Sequence, residues 1–286
     1  MGAISRKFRI PIRAESQPED LEAAGALSLS HEQDAAIEIE IHEPALTEDN
    51  LGLKTWASSY VLAKKWHHLR EHLLLPVQSS SARSVESLTI LELGAGTGLV
   101  GLSAAAVLGV NVLLTDLPEI VSNLAHNADE NADLLLSRGG STTVAVVDWT
   151  KPQEVVYQET SNFSRDTKGP SHRLVDGHAL LPGRRGLSVP VVVAADPIYS
   201  KDHPKLLAQA VDCHLERSLN ARLIVEMPIR DTYAAERADY VSCMQDLGLT
   251  LIREEKDIGY DDWSEGRGEE LAEVECWMTM WAWKSV

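Results

Sequence analysis

Four short groups of residues could do chemistry in this 286-residue chain, and each stands where an apolar run ends. Glu92 opens the pattern E-x-G-x-G-x-G through Gly94, Gly96 and Gly98. Asp116 closes the next apolar run, Asp148 and Trp149 close a third, and Asp196-Pro197-Ile198-Tyr199 close a fourth. Glycines at alternate positions let the backbone approach a ligand and take conformations closed to other residues. Asp116 lies where an acidic side chain holds ribose hydroxyls. At Asp148 a carboxylate can accept a hydrogen bond from an adenine amine, and the indole of Trp149 can cover the ring face. The first three groups describe a site for a nucleoside-bearing cofactor, and the fourth lies beside it.

Strands and helices must carry these groups. Residues 88–116 read as a strand, a tight turn, a small-residue helix and a parallel strand, so a ligand is expected over the carboxyl ends of the strands, at the glycine turn. A helix with Trp56, Tyr60, Trp66, Leu69 and Leu73 near helical spacing is expected over residues 53–75. Another begins at Pro118 and ends at Gly139-Gly140. Further strands are expected at 142–149, 189–196, 221–227, 250–254 and 274–283, with helices at 204–218 and 231–247 and an acidic loop at 255–270. The strand at 189–196 is apolar throughout and so central. The reading is an α/β fold: a seven-stranded, mostly parallel sheet with helices on both faces, closed by two successive strands that pair antiparallel at one edge. Residues 1–52 form an extension with two alternating strands, 8–13 and 36–42, serving as a lid, an edge addition or a substrate-binding element. Residues 53–286 form the main domain, interrupted at 151–188 by a polar, aperiodic stretch expected to be a flexible insertion.

Gly96 to Gly101 also satisfies GxGxxG, the dinucleotide pattern, which alone is weak. Three details point elsewhere. The glycines start two residues early, behind Glu92, whose carboxylate can reach a methionine amino group directly or through water. Asp148-Trp149 suits an adenine, and Asp196 to Tyr199 falls where a transferable methyl group would point. The combination favours S-adenosylmethionine over NAD, with Gly101 explained by close helix packing.

These segments, LELGAGTGLVGLSAA, TDLPEIVSNLAHN, VDW and AADPIYS with the upstream TWASSYVLAKKW, resemble the seven-β-strand protein lysine methyltransferases of the methyltransferase-16 group over residues 53–226. The resemblance implies a class I methyltransferase, Rossmann-like sheet. It implies that Trp56, Gly94, Ala95, Gly96, Asp116, Trp149 and Ala195 contact S-adenosylmethionine. It also implies that Asp196 and Tyr199 are the D-x-x-Y residues lining the methyl-transfer channel. DPIYSKDHP is similar to the fungal subgroup that includes elongation-factor lysine methyltransferases, so the implied partner is a protein, an elongation factor among the possibilities. The serines at 58 and 59 depart from the usual pattern, which leaves them outside the expected site.

On that reading the amine must lose a proton before attacking, since a free lysine has a pKa near 10.4. A narrow, partly desolvated channel favours its neutral form. Asp196, with the carbonyls near Pro197, orients the amine, Tyr199 shapes the channel, and alignment of nucleophile, methyl and sulfur supplies most of the rate. Plainer roles stay open: Asp116 as a helix cap, Asp196 as a turn residue, Trp56, Trp149 and Tyr199 as packing. So do methylation of a nucleic-acid amine, DPIY being one residue from D-P-P-Y, and a non-catalytic cofactor-binding protein.

Composition bounds the choice. With 43 acidic against 26 basic residues the net charge is -17, which opposes broad contact with a phosphate backbone and favours a basic partner. No nucleic-acid partner is expected. No apolar run approaches a membrane span, the first residues lack a signal-peptide core, and no membrane association is expected. Cys213, Cys243 and Cys276 show no pairing pattern, and His67, His68 and His72 read as a solvated helix face, so no metal site is expected. A reducing compartment, cytoplasm or nucleus, and a monomer are expected.

Overall fold

The apolar runs form strands whose alternate residues feed two separate cores. In the computed structural model, which describes residues 3–13, 36–45, 51–73, 88–158, 186–261 and 272–286, the central strands are β3 (Ile90–Leu93), β4 (Asn111–Asp116), β5 (Ser141–Val146), β7 (Val191–Ala195) and β8 (Arg222–Pro228). Ile90, Val112, Leu114, Val144, Val191, Val193 and Ile224 point to one face, while Leu91, Leu93, Leu113, Ala145, Val192, Ala194, Leu223 and Val225 point to the other. Period-two alternation of apolar side chains on both faces is what a sheet covered by helices on each side demands.

Among the described residues, adding β6 (Val156–Tyr157), β9 (Leu249–Asp261) and β10 (Ala272–Trp283), the sheet has eight strands in the order β6-β5-β4-β3-β7-β8-β10-β9. β3, β4, β5, β7 and β8 run parallel. β10 lies antiparallel between β8 and β9, giving the expected reversal at that edge. The mostly parallel sheet with an antiparallel edge is the arrangement expected from the sequence, with one strand more. The additional strand is β6, which turns back antiparallel along β5. Val156 and Tyr157 thus pair into the sheet within the stretch expected to be a flexible insertion; of that stretch, residues 159–185 lie outside the described residues.

α1 (Ala57–Ala63), α2 (Trp66–Leu69), α3 (Leu99–Leu108), α4 (Pro118–Glu130) and α5 (Ala132–Ser137) cover one face, and α6 (His203–His214) and α7 (Ala234–Asp246) cover the other. The helix expected over 53–75 is shorter and broken: Trp56 is extended at its N-cap and only Ala57 onward is helical. The acidic loop expected from residue 255 is strand as far as Asp261, because β10 pairs with it over its whole length; residues 262–271 lie outside the described residues. In the N-terminal extension β1 (Ile4–Pro11) and β2 (Ala36–Glu43) form an antiparallel ribbon. Ile10, Ile39 and Ile41 enter the same core as α3 and α4. The side chains of Asn127 and Asn131 bond the β2 backbone at His42 and Glu40, so the ribbon is fastened to α4. Among the described residues no helix is long and apolar enough to cross a membrane.

Candidate active site

The chain order reverses between β4-β3 and β7-β8, and the crevice at the carboxyl ends of these strands is where such sheets bind ligands. Gly94, Gly96 and Gly98 line it in left-handed conformations, φ +68°, +57° and +89°. At Gly96 space is also limiting: a Cβ there would lie 2.8 Å from the Gly52 carbonyl oxygen. The segment before α1 therefore lies directly over the glycine turn, fixed further by a 2.8 Å hydrogen bond between the Thr55 and Thr97 hydroxyls. Gly101 answers to packing as expected, since a Cβ would fall 2.2 Å from Leu114 and 2.5 Å from the Glu92 carboxylate.

Two carboxylates organise this half. Asp116 accepts from the Gly96 amide at 2.7 Å through Oδ2 and from the Leu117 amide at 2.7 Å through Oδ1, so it ties the glycine turn to the residue that leads into α4. Each oxygen keeps acceptor capacity for a ligand hydroxyl. Burial pushes its pKa up to about 6 against the opposing pull of those two amides. Glu92 is only 1% exposed and accepts from the Gly101 amide at 2.8 Å. Burial, with the charge of Asp116 adding to it, carries Glu92 to about 8. It lies under the first turn of α3, beneath the glycines.

Trp149 stands just past β5, half-buried, with its ring 3.2 Å from where a Gly94 Cβ would sit. An indole lying against the glycine turn is placed to cover an adenine. Asp148 accepts from the Thr150 amide at 2.8 Å, closing a local turn that orients the indole's backbone. Ala95 is nearly buried, with its amide on the Thr115 carbonyl at 2.9 Å. Glycine backbone, acceptor carboxylates and an aromatic face together fit an adenosine carrying an amino-acid tail.

The second half begins at Ala195, partly exposed at the end of β7. Asp196 follows with φ +52°, a left-handed conformation unusual for a residue with a side chain, and its amide donates to the Glu226 carbonyl at 2.8 Å. Its side chain is largely buried, and burial raises it to about 6 while Arg230, 3.8 Å away, pulls it down. Tyr199 is 53% exposed at the rim. Partial burial, then the carboxylates of Asp116 and Asp196, raise its phenol above the ordinary value. The ring of His203 stands edge-on to it at 4.1 Å, and the Tyr199 amide donates to His203 Nδ1 at 3.3 Å. Trp56 lies opposite, next to Arg230, whose guanidinium is 5.6 Å from its ring centroid. Arg230 also reaches Asp261 at 3.1 Å, and Asp261 accepts from the Ala57 amide at 3.0 Å.

The residues expected from the sequence thus gather at one end of the sheet. Arg230, Asp261 and His203 join them without having been expected. Arg230 and His203 had a readable signal, a charged residue just past β8 and a histidine four residues after Tyr199. Asp261 had none, because it lay in a stretch expected to be loop. The histidines at 67, 68 and 72 lie elsewhere: His72 meets Arg253 at 2.7 Å on the far side of α2.

Residues 33–163 match the family described as lysine methyltransferase. The chain is 32% identical over 233 residues to the Protein-lysine N-methyltransferase EFM2 of Saccharomyces cerevisiae, covering 79% of this chain but 48% of that protein. It is 30% identical over 248 residues to the Protein-lysine N-methyltransferase rrg1 of Schizosaccharomyces pombe, covering 86% of this chain and 67% of that protein. Over 95 residues it is 35% identical to the Protein-lysine methyltransferase METTL21E of Mus musculus, 32% of this chain and 34% of that one. The chain therefore spans about half the length of the first of these relatives and two thirds of the second. On identity of 30% or more across most of this chain, and across two thirds of the second relative, the chain belongs to the lysine methyltransferase family.

Proposed function

We propose that this chain transfers a methyl group from S-adenosylmethionine to the side-chain amine of a lysine in a protein. The observation that carries the reading is Asp196: a buried carboxylate held in a left-handed turn at the end of β7, beside the glycine turn and three residues before Tyr199. With its pKa at about 6 it is ionised at neutral pH and able to accept from an ammonium or amine. The relatives' names support the acceptor class. An elongation factor is the protein we favour, and the acidic chain suits a basic partner. A reducing compartment, cytoplasm or nucleus, and a monomeric enzyme complete the proposal.

S-adenosylmethionine would supply the electrophilic methyl group. Trp149 and Asp148 would meet its adenine, Asp116 its ribose, and Trp56, Ala95 and Ala195 the atoms between. A positive amino group above the glycine turn would return Glu92 to its ionised form. For the acceptor, Asp196 orients the amine, Tyr199 restricts its approach from the rim, and their position close to the crevice limits water. No dedicated strong base is needed, since placement of the neutral amine lowers the barrier.

Asp196→Ala and Tyr199→Phe should each cut methylation of protein by about 1000-fold or more while leaving calorimetric affinity for S-adenosylmethionine within a few-fold. Turnover unchanged in either variant removes that residue from the role. A thermal shift with S-adenosylmethionine and none with NAD is expected of the parent protein.

A further inference from the structure

We propose that Arg230 is a positioning residue of this site: it joins Trp56, on the cofactor side, to Asp196, on the acceptor side, and holds Asp196 ready to receive an incoming cation. The proposal rests on the reading of Asp196 given above. Arg230 lies two residues past β8 in an extended conformation, φ -111° and ψ 132°. Its backbone is pinned, since its carbonyl accepts from the Arg237 guanidinium and the preceding Ile229 amide donates to Glu275 of β10 at 2.7 Å. From that anchor the guanidinium does three things at once. Nη2 meets Asp261 Oδ2 at 3.1 Å, Nη1 stands 3.8 Å from Asp196 Oδ2, and Cζ lies 5.6 Å from the Trp56 ring centroid.

Asp261 makes the link rigid. Its other oxygen accepts from the Ala57 amide at 3.0 Å, the first helical residue of α1 and the neighbour of Trp56. Trp56, the N-cap, makes no side-chain cap of its own, so a carboxylate from the end of β9 satisfies the start of the helix. Only a planar fork serves two carboxylates and an aromatic face together; a lysine ammonium is a single point charge.

Among the described residues, Arg230 is the cation that offsets burial at Asp196. Asp196 is faced by Arg230 from beyond β8, by Asp261 across Arg230, by the Tyr199 phenol on its own loop and by the buried Cys276 thiol of β10. Burial and Asp261 favour protonating Asp196, and Arg230 opposes them. Without it, Asp196 takes up a proton nearer neutral pH and cannot accept from an ammonium. It also loses the contact that aims it.

The test is a carbon-13 titration of protein labelled in its aspartate carboxyls, with the Asp196 signal assigned by its loss in Asp196→Asn. In Arg230→Met the midpoint should rise by about 1 pH unit or more. Methyl transfer from labelled S-adenosylmethionine into lysate protein should fall at least tenfold at pH 7 and recover partly at higher pH. Arg230→Lys should keep the midpoint close to that of the parent yet remain several-fold slower, the charge being present without the fork. An unmoved midpoint in folded Arg230→Met overturns the proposal, and Arg230→Gln carries the same test if the methionine variant does not fold. Full turnover in Asp196→Asn would instead overturn the role of Asp196 and leave the coupling to be read from the titration alone.

Discussion

The two halves of the site are held in different ways. Around β3 and β4 the groups brace one another locally: Asp116 bonds the glycine turn, Glu92 bonds the first turn of α3, and the glycines supply left-handed conformations that residues with side chains seldom adopt. Around β7, β8 and β9 the groups are joined across long stretches of chain, Arg230 to Asp196 and Asp261, and Asp261 back to Ala57. The first half is a motif, and the second exists only once the sheet has formed. A cofactor pocket fixed by short-range bonds can keep one shape while an acceptor side built from separate strand ends varies with the partner.

Substitutions in each half should separate these modes of construction. The largest effect is expected beneath the acceptor half. Lys65, buried between α1 and α2, bonds Asp257 at 2.7 Å and the fully buried Glu226 at 3.2 Å, next to Ala195 in the sheet. Burial pulls its ammonium toward the neutral form, but Glu226 and Asp257 outweigh this and hold it charged beyond its ordinary range. Lys65→Met strands a buried carboxylate and should cost about 3–5 kcal/mol in urea unfolding. In the cofactor half, Gly96→Ala forces a side chain into a left-handed conformation and against the Gly52 carbonyl. A loss of about 2–4 kcal/mol is expected, with S-adenosylmethionine affinity down at least tenfold in calorimetry.

The smallest change in stability carries an opposite sign. Glu92 has its pKa raised from 4.5 in the unfolded chain to about 8 in the fold, so the folded state binds its proton more tightly. Its contribution is fully favourable below pH 4.5 and is lost as pH rises to 8, where a buried charge must be carried. Glu92→Gln should therefore stabilise the cofactor-free protein by at least about 1 kcal/mol at pH 8 and by nothing near pH 4. The same change should weaken S-adenosylmethionine by about tenfold or more, because the charge under the glycines is gone. Thermal midpoints across pH, with and without the cofactor, check both signs; equal midpoints at pH 8 contradict the first.

This contrast also explains what could be read from the chain. Glu92, the glycines and Asp116 lie within 25 residues and follow rules of local backbone geometry, so their spacing announced the cofactor half. Asp196 and Tyr199 were legible for the same reason, as a short pattern at a strand end. Asp261 was not, because the strand that presents it is polar and exposed along one edge and owes its length to pairing with β10. The break after Trp56 was likewise hidden: helical spacing continued through residues 53–56, but the segment is drawn over the glycine turn and Asp261 starts the helix at Ala57. β6 escaped notice because two residues carry no periodicity, and a sheet edge alone recruits them.

The central claim is that the two halves together move a methyl group to a lysine amine. Its most direct test is to incubate the protein and methyl-labelled S-adenosylmethionine with lysate from its own cells, then map the label by mass spectrometry, with Asp196→Ala alongside. Label on the Nε of lysine in a protein band, absent with the variant, is the predicted result. Label in RNA or DNA, or equal labelling by Asp196→Ala, would contradict it.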